Sequence, residues 1–144
     1  MPLQYKRITL VVGDIEQSLR IYGDILGFTT NYIKDSADDS YSYPVFNIPK
    51  GAKIRFGAFD SPTQERTLGL TEVKGCPLPK YKGIRMHASV IQVDDLPAKM
   101  EKIKALGLET TEPFIDSNEY ARFIEQSFVD FDGHLVVLYE LLSN

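Results

Sequence analysis

The sequence predicts an α+β protein made of two tandem βαβββ units whose mixed sheet curls around a cavity. An apolar strand pattern, a capped helix and a glycine stop occur in residues 5–27 and again in residues 84–107. The two capping residues, Asp14 and Asp95, are 81 positions apart, and three strand patterns follow each helix. We therefore predict a single duplicated domain spanning residues 1–144, with unit one at 3–60, a linker at 61–81 and unit two at 82–142.

Unit one begins with a β-branched, apolar strand pattern over residues 5–12. Asp14 is suited to cap a helix because its carboxylate accepts free backbone N–H groups, and Gln17 follows at the spacing of a capping box. Gly27 supplies a left-handed stop. The predicted buried stripe is Ile15, Leu19, Tyr22 and Leu26, and the strands that follow are 28–34, 43–48 and 53–59.

Unit two repeats this order, with a strand at 84–93 and a helix capped by Asp95. Pro97 lies in the first helical turn, where its missing N–H costs little. Asp132-Gly133 predicts the hairpin turn between the last two strands. The predicted buried stripe is Leu96, Met100, Ile103 and Leu106, and the strands that follow are 108–114, 120–128 and 135–141.

Composition excludes several classes of protein. The 144 residues carry a net charge of −4, and the 16 Lys and Arg residues form no basic stripe, which argues against a nucleic-acid partner. No apolar run approaches the ~20 residues that cross a bilayer, and the first residues lack the pattern of a signal peptide, so we expect a cytoplasmic protein with no membrane contact. The single cysteine, Cys76, cannot form an internal disulfide and is interpreted as a loop thiol.

Three segments together resemble the vicinal oxygen chelate superfamily, which includes glyoxalase I, extradiol dioxygenases, and the bleomycin and fosfomycin resistance proteins. They are "VVGDIEQSLRIYGDILGF", "VDDLPAKMEKIKALG" and "FVDFDGHLVVLYE". The resemblance covers nearly the whole chain and implies the glyoxalase/bleomycin resistance-like fold, a small-molecule ligand and a homodimer.

The resemblance also implies where a metal would bind. Metal-containing members carry a His seven residues before each capping Asp and a Glu in the last strand of each unit. In this chain the corresponding positions are Arg7, a residue at or near Arg55, Ala88 and Val137. None of these side chains ligates a divalent cation, so we predict no metal and no cofactor.

The two histidines do not replace the missing ligands, because alternation along a strand turns both away from the predicted cavity. His87 is predicted to be a core residue on the helix-covered face, and His134 an exposed loop residue. A one-residue bulge would instead turn His87 inward.

Arg7 and Arg55 are predicted to face the same cavity, where two cations require compensation. A carboxylate, Glu72 or Glu125, would supply it, or else an anionic ligand; the alternative is that both arginines reach the surface. The remaining predicted lining is apolar and aromatic, typical of a small-molecule site but equally of a filled core. The predicted ligand-binding residues are Arg7, Thr9, Arg55, Phe59, Val90, Gln92, Val137 and Tyr139.

Three classes of function remain open, because the sequence contains no nucleophile–histidine pair and no phosphate loop. The first is a metal-independent protein that binds or sequesters an anionic, amphipathic small molecule. The second is a glyoxalase-like lyase, isomerase or dioxygenase with a non-standard or absent metal site. The third is an assembly module whose cavity is filled by side chains.

Overall fold

The computed structural model describes residues 1–142 and contains two four-stranded mixed sheets with few helices, which confirms the predicted α+β class. Neither sheet is closed, since each has two edge strands. The chain divides into two compact units, Met1–Pro79 and a second that begins at Lys80. Within the described residues, no helix has the length and apolar character needed to cross a membrane.

Unit one has the sheet order β1-β4-β3-β2, in which β1 and β4 are parallel and the other neighbours antiparallel. Its strands are β1 Ile8–Val12, β2 Thr29–Asp35, β3 Lys53–Ser61 and β4 Gln64–Lys74. Helix α1, Ile15–Leu19, continues directly into a π-helical segment, Arg20–Ile25, and a short α2 spans Ser42–Phe46.

Unit two repeats this arrangement with the order β5-β8-β7-β6, in which β5 and β8 are parallel. Its strands are β5 Ser89–Gln92, β6 Phe114–Ser117, β7 Arg122–Val129 and β8 Leu135–Leu142. One helix, α3, spans Leu96–Ala105.

Two predicted elements of unit one are wrong. The predicted linker at 61–81 contains β4, an 11-residue strand that is central in the sheet. The predicted strand at 43–48 is instead the helix α2, in which Pro44 occupies the first turn, where a missing N–H is tolerated. Asn47, at φ 54°, ends that helix. Unit one therefore extends well beyond residue 60.

The helix boundaries follow the predicted caps. Asp14 accepts from the Gln17 N–H at 3.0 Å, and Asp95 accepts from the Ala98 N–H at 3.4 Å. Gly27 and Gly107 adopt φ of 95° and 81°, the left-handed conformation that ends a helix at low cost for glycine.

The π-helical segment changes which residues of the first helix are buried. The Leu26 N–H donates to the Ile21 carbonyl, five residues earlier, at 2.9 Å. This wider turn buries Ile21 and Tyr22 side by side, whereas the predicted stripe members Leu19 and Leu26 are half-buried. The 3.6-residue periodicity therefore fails after the first turn. In α3, by contrast, the predicted Leu96, Met100 and Ile103 are all buried.

Candidate functional site

Each sheet has one face covered by a helix and one face turned away from it. In unit one the pairs Arg55↔Glu72 and Val12↔Glu72 share one face, and Glu72 accepts from the N–H of Ile15 in α1. That face is therefore the helix face. Side chains one position away point to the opposite side, which we call the far face; in unit one it carries Thr9, Gly69 and Thr71.

The helix face of unit one holds a cluster of charges around Arg55. Its Nε donates to Glu72 Oε1 at 3.1 Å, and its Nη2 donates to Glu72 Oε2 at 2.9 Å. The same Nη2 also contacts Glu16 Oε2 of α1 at 2.8 Å. Glu72 is nearly enclosed, with 6% of its side chain exposed, while Glu16 is 66% exposed. The guanidinium thus links two strands to the first turn of α1.

These contacts shift the protonation equilibria of the cluster. Burial raises the pKa of Glu72, but the hydrogen bonds from Arg55 and from the Ile15 N–H outweigh it and hold the pKa of this carboxyl below its ordinary value. The hydrogen bonds to Glu72, and then those to Glu16, raise the pKa of Arg55. The hydrogen bond from the Gln17 N–H lowers the pKa of Asp14. Glu72, Arg55 and Asp14 are therefore charged at neutral pH.

Unit two repeats the helix contact without the arginine. Glu140 in β8 accepts from the Asp95 N–H at 2.7 Å and from the Leu96 N–H at 3.0 Å, at the start of α3. Its partner across β7 is Ile124, where unit one has Arg55. This role of Glu72 and Glu140 was not predicted, although the two units end in the similar segments "LTEV" and "LYEL", each with a Glu at the third position.

Arg7 and Arg55 do not share a face, so that prediction is wrong. Arg7 directly precedes β1, and the alternation of that strand extended by one residue places it on the side of Thr9, the far face of unit one, whereas Arg55 lies on the helix face. Of the two predicted compensating carboxylates, Glu72 does pair with Arg55. The Nε of Arg7 donates to the Arg66 carbonyl at 3.1 Å, and no salt bridge to Arg7 occurs within residues 1–142.

Phe59 also lies on the helix face, since it pairs with Leu68. It is completely buried and belongs to the core that α1 covers, so the prediction that it lines the same surface as Arg7 is wrong. Thr9 is half-buried and lies opposite Gly69. A Cβ at Gly69 would come within 2.8 Å of Thr9 Oγ1 and 3.0 Å of the Phe56 ring, so the glycine leaves these two groups close together.

The far face of unit two carries the four remaining predicted residues. Val90 pairs with Val137, and Gln92 pairs with Tyr139, so all four point to the side opposite α3. Val90 is 66% exposed, and Gln92 is also exposed, whereas Val137 and Tyr139 are half-buried. The ring of Tyr139 packs against Phe123, with centroids 5.5 Å apart. Their role in ligand binding stays a prediction.

His87 does not occupy its predicted environment, whereas His134 lies in a loop as predicted but is half-buried instead of exposed. His87 precedes β5 and is exposed, so it is not a core residue. His134 is half-buried in the turn between β7 and β8, where its N–H donates to Asp130 Oδ1 at 2.8 Å. Cys76 is a half-buried free thiol.

The architecture and the sequence match a known family. The model of the Glyoxalase/Bleomycin resistance protein/Dioxygenase superfamily matches residues 4–138, nearly the whole chain. The chain belongs to this superfamily. No curated protein has a sequence that matches it.

Solved structures of superfamily members share the fold. A glyoxalase family protein from Bacillus cereus has a TM-score of 0.77 at 12% identity, covering 99% of this chain and 97% of its own. The fosfomycin resistance protein FosX from Listeria monocytogenes, complexed with Mn(II) and sulfate, has a TM-score of 0.60 at 23% identity, with coverages of 97% and 93%. FosX from Mesorhizobium loti has a TM-score of 0.59 at 18% identity, with the same coverages. At these identities the likeness shows the fold alone.

The duplicated register corrects one of the four metal positions of the superfamily. Val137 pairs with Val90, five residues before the capping Asp95, and the equivalent pair in unit one is Thr9 with Gly69. The position assigned to Arg55 is therefore Gly69. The four positions are then Arg7, Gly69, Ala88 and Val137. Arginine is a cation, glycine has no side chain, and alanine and valine have hydrocarbon side chains. None of these residues has a side-chain group that ligates a metal ion, so they do not fit one.

The carboxylates of Asp14, Glu16 and Glu72 do come within 4.8 Å of one another. They lie on the helix face, and Arg55 already occupies the space between Glu16 and Glu72. This group is therefore explained by its ion pairs.

Proposed function

We propose that this superfamily member binds or sequesters a small molecule without a metal, and that the ligand has an anionic head and an apolar body. The observation that carries the proposal is the cation on the far face of unit one. Arg7 is half-buried and has no carboxylate partner among residues 1–142, whereas Arg55 on the other face pairs with two carboxylates.

The guanidinium of Arg7 is suited to bind the anionic group of the ligand. A guanidinium remains protonated at any physiological pH and presents its N–H donors in a planar fork that suits carboxylate and phosphate oxygens. Its Nε is used by the Arg66 carbonyl, which fixes the stem and leaves the two Nη groups for a ligand. Thr9, on the same face, adds a hydroxyl.

Aromatic side chains on the same face supply an apolar contact for the ligand. Phe56 pairs with Thr71, and its ring lies 6.1 Å from the ring of Tyr32, centroid to centroid. Both side chains are half-buried, so part of each ring remains accessible. In unit two we retain Val90, Gln92, Val137 and Tyr139 as a ligand-contacting surface of its own. We leave out Arg55 and Phe59, because Arg55 pairs with two carboxylates on the helix face and Phe59 is completely buried.

Metal-dependent lyase, isomerase or dioxygenase chemistry at the superfamily position would require imidazole or carboxylate groups. Arg7, Gly69, Ala88 and Val137 supply none of these. Binding without metal chemistry is therefore the function that this donor set supports best.

Calorimetry with benzoate and phenylphosphonate tests the proposal. Replacing Arg7→Met keeps the apolar stem and removes the fork, so we expect an unchanged melting temperature and about ten-fold weaker binding, about 1.4 kcal/mol. Lys6→Met removes the neighbouring exposed cation and serves as the matched control. Equal affinity in Arg7→Met and the wild type would remove Arg7 from the site.

Elemental analysis of protein purified without an affinity tag tests whether the protein contains a bound metal ion. We expect far less than one equivalent of Zn, Ni, Mn or Fe per chain. A near-stoichiometric metal would contradict the metal-independent proposal.

A further inference from the structure

Residues 74–93 form a basic segment in a chain whose net charge is −4. They contain four Lys and Arg residues, and none of the 20 Asp and Glu residues of the chain lies among them. Ile84 and Met86 in this segment are 81% and 80% exposed. Large apolar side chains that are exposed together and bordered by polar groups mark a contact surface. We call four exposed residues of the segment the basic patch: Lys80, Lys82, Ile84 and Met86.

The basic patch is held in place by Arg85. The Arg85 Nη1 donates to the Gly133 carbonyl at 2.9 Å, and its Nη2 lies 3.7 Å from Glu109 Oε2. The same guanidinium lies over the ring of Tyr81, 5.8 Å from the centroid, and the Tyr81 hydroxyl donates to the Ile84 carbonyl. The segment is therefore fixed to unit two, so that less conformational entropy is lost when a partner binds it.

Unit one has a patch of the opposite charge at the start of α2. A hydrogen-bonded turn over residues 37–40 carries Asp38 and Asp39 at its two central positions, and both are exposed. Tyr41 and Val45 are 80% and 50% exposed. They lie one helical turn apart, on the same side of α2, since the Val45 N–H donates to the Tyr41 carbonyl at 3.1 Å. We call these four residues the acidic patch.

The acidic patch is held in place by Tyr43, which lies on the inner side of α2. Tyr43 is buried, and its hydroxyl donates to the Ala52 carbonyl at 2.7 Å. The Lys50 Nζ lies 5.3 Å from the centroid of its ring. The short helix is therefore fixed to unit one by its inner side, and its outer side presents the patch.

The two patches match each other in the number and kind of their side chains. Each has two exposed charges of one sign and two exposed large apolar side chains. None of the four charged members forms a salt bridge within residues 1–142. Contact between such surfaces removes apolar area from water and pairs opposite charges around it, which is the usual arrangement of a protein interface.

We infer that the acidic patch of one chain binds the basic patch of a second copy of the chain. Because every chain carries both patches, a two-fold axis brings two such contacts together and closes the pair as a dimer. The apolar members supply affinity, whereas the charged members select the partner and its orientation. The contact uses no residue of either sheet, so it does not depend on the proposed ligand site.

Charge reversal tests the inference by sedimentation velocity at micromolar concentration in about 150 mM NaCl, which screens charges that are not in contact. Asp38→Lys/Asp39→Lys and Lys80→Glu/Lys82→Glu each place like charges in both contacts, so we expect each variant to associate at least about ten-fold more weakly than the wild type. An equimolar mixture of the two variants should associate like the wild type, because both contacts of the mixed pair again join opposite charges.

Glu112→Lys/Glu119→Lys is the matched control. It makes the same change in net charge as the reversal of the acidic patch, at exposed positions of unit two, and should leave association unchanged. All of the substituted residues are exposed, so we expect the variants to keep the circular dichroism spectrum and melting temperature of the wild type. A monomeric wild type would overturn the inference, and so would failure of the mixture to restore association. A dimer that persists equally in both reversed variants would place the contact elsewhere and overturn it as well.

Discussion

Replacing Arg55→Met tests how the charge cluster holds α1 against the sheet of unit one. The substitution keeps an apolar stem and leaves the Glu72 carboxylate, of which 6% of the side chain is exposed, without its cation. Removing one partner of a buried ion pair costs ~3–5 kcal/mol. Arg55 is 28% exposed and Glu72 keeps the Ile15 N–H, so we expect a loss of about 2 kcal/mol in the free energy of unfolding.

The pH dependence separates a lost charge pair from lost packing. In the wild type the pKa of Glu72 is lowered from its ordinary 4.5, so its contribution to stability is present above that pH and is lost as the pH falls below it. In Arg55→Met, the hydrogen bonds from the arginine no longer oppose the effect of burial, so we expect the pKa of Glu72 to rise relative to the wild type. At low pH the unpaired Glu72 carboxylate of the variant becomes protonated and no longer destabilises the fold. The difference in the free energy of unfolding between the two proteins therefore narrows from pH 7 to pH 4.

Urea unfolding followed by far-UV circular dichroism measures both effects, since the chain contains no tryptophan. Glu16→Gln is the matched control, because Glu16 is the exposed partner of the same guanidinium and its loss should cost at most about 0.5 kcal/mol. A loss of stability in Arg55→Met that stays constant from pH 7 to pH 4 would refute the charge argument and leave only packing.

Three further predictions concern the other described features. Glu140→Gln weakens the acceptor for two N–H groups of α3 and should cost about 1 kcal/mol, with faster amide exchange in that helix; unchanged exchange would contradict the capping role. Thr71→Val removes a buried hydroxyl that has no hydrogen-bond partner among the described residues, so a stabilisation of about 1 kcal/mol is expected in thermal unfolding, and a destabilisation would reveal a bound water. Light scattering at micromolar concentration should show a homodimer, since each sheet has exposed edge strands, and a monomer alone would contradict that expectation.

Local signals in the sequence were sufficient for the duplication and for the helix starts. Asp14 and Asp95 cap their helices by accepting from N–H groups three residues away, so their role can be predicted from the adjacent sequence alone. The π-helical segment after Leu19 has no such signal, because its extra residue per turn is fixed by how Ile21 and Tyr22 pack. Periodicity assumes 3.6 residues per turn and fails there.

The misplaced strand explains most of the errors in the site. Residues 64–74 contain Gly69, Arg66 and Glu72, which weaken the β pattern, so the strand was interpreted as a linker. Without β4, the last strand of unit one was taken to be β3, and the family position fell on Arg55 instead of Gly69. Which face a side chain occupies depends on the register between strands, which alternation along one strand does not fix.

The location of β4 also determines how the first unit acquires its fold during synthesis. Among residues 1–142, strand β1 pairs only with β4, and Ile8 lies opposite Leu68, sixty residues later. The first strand therefore stays unpaired until the chain has grown past Lys74. The β3–β4 hairpin, joined by a tight turn, forms earlier because its loop closure costs less entropy. A fragment that ends at residue 60 leaves Arg55 without Glu72 and β1 without a neighbour, so it should emerge from the ribosome as an aggregation-prone chain. A fragment that ends at Pro79 contains all four strands of that sheet, so it is the fragment with which to study unit one separately from unit two.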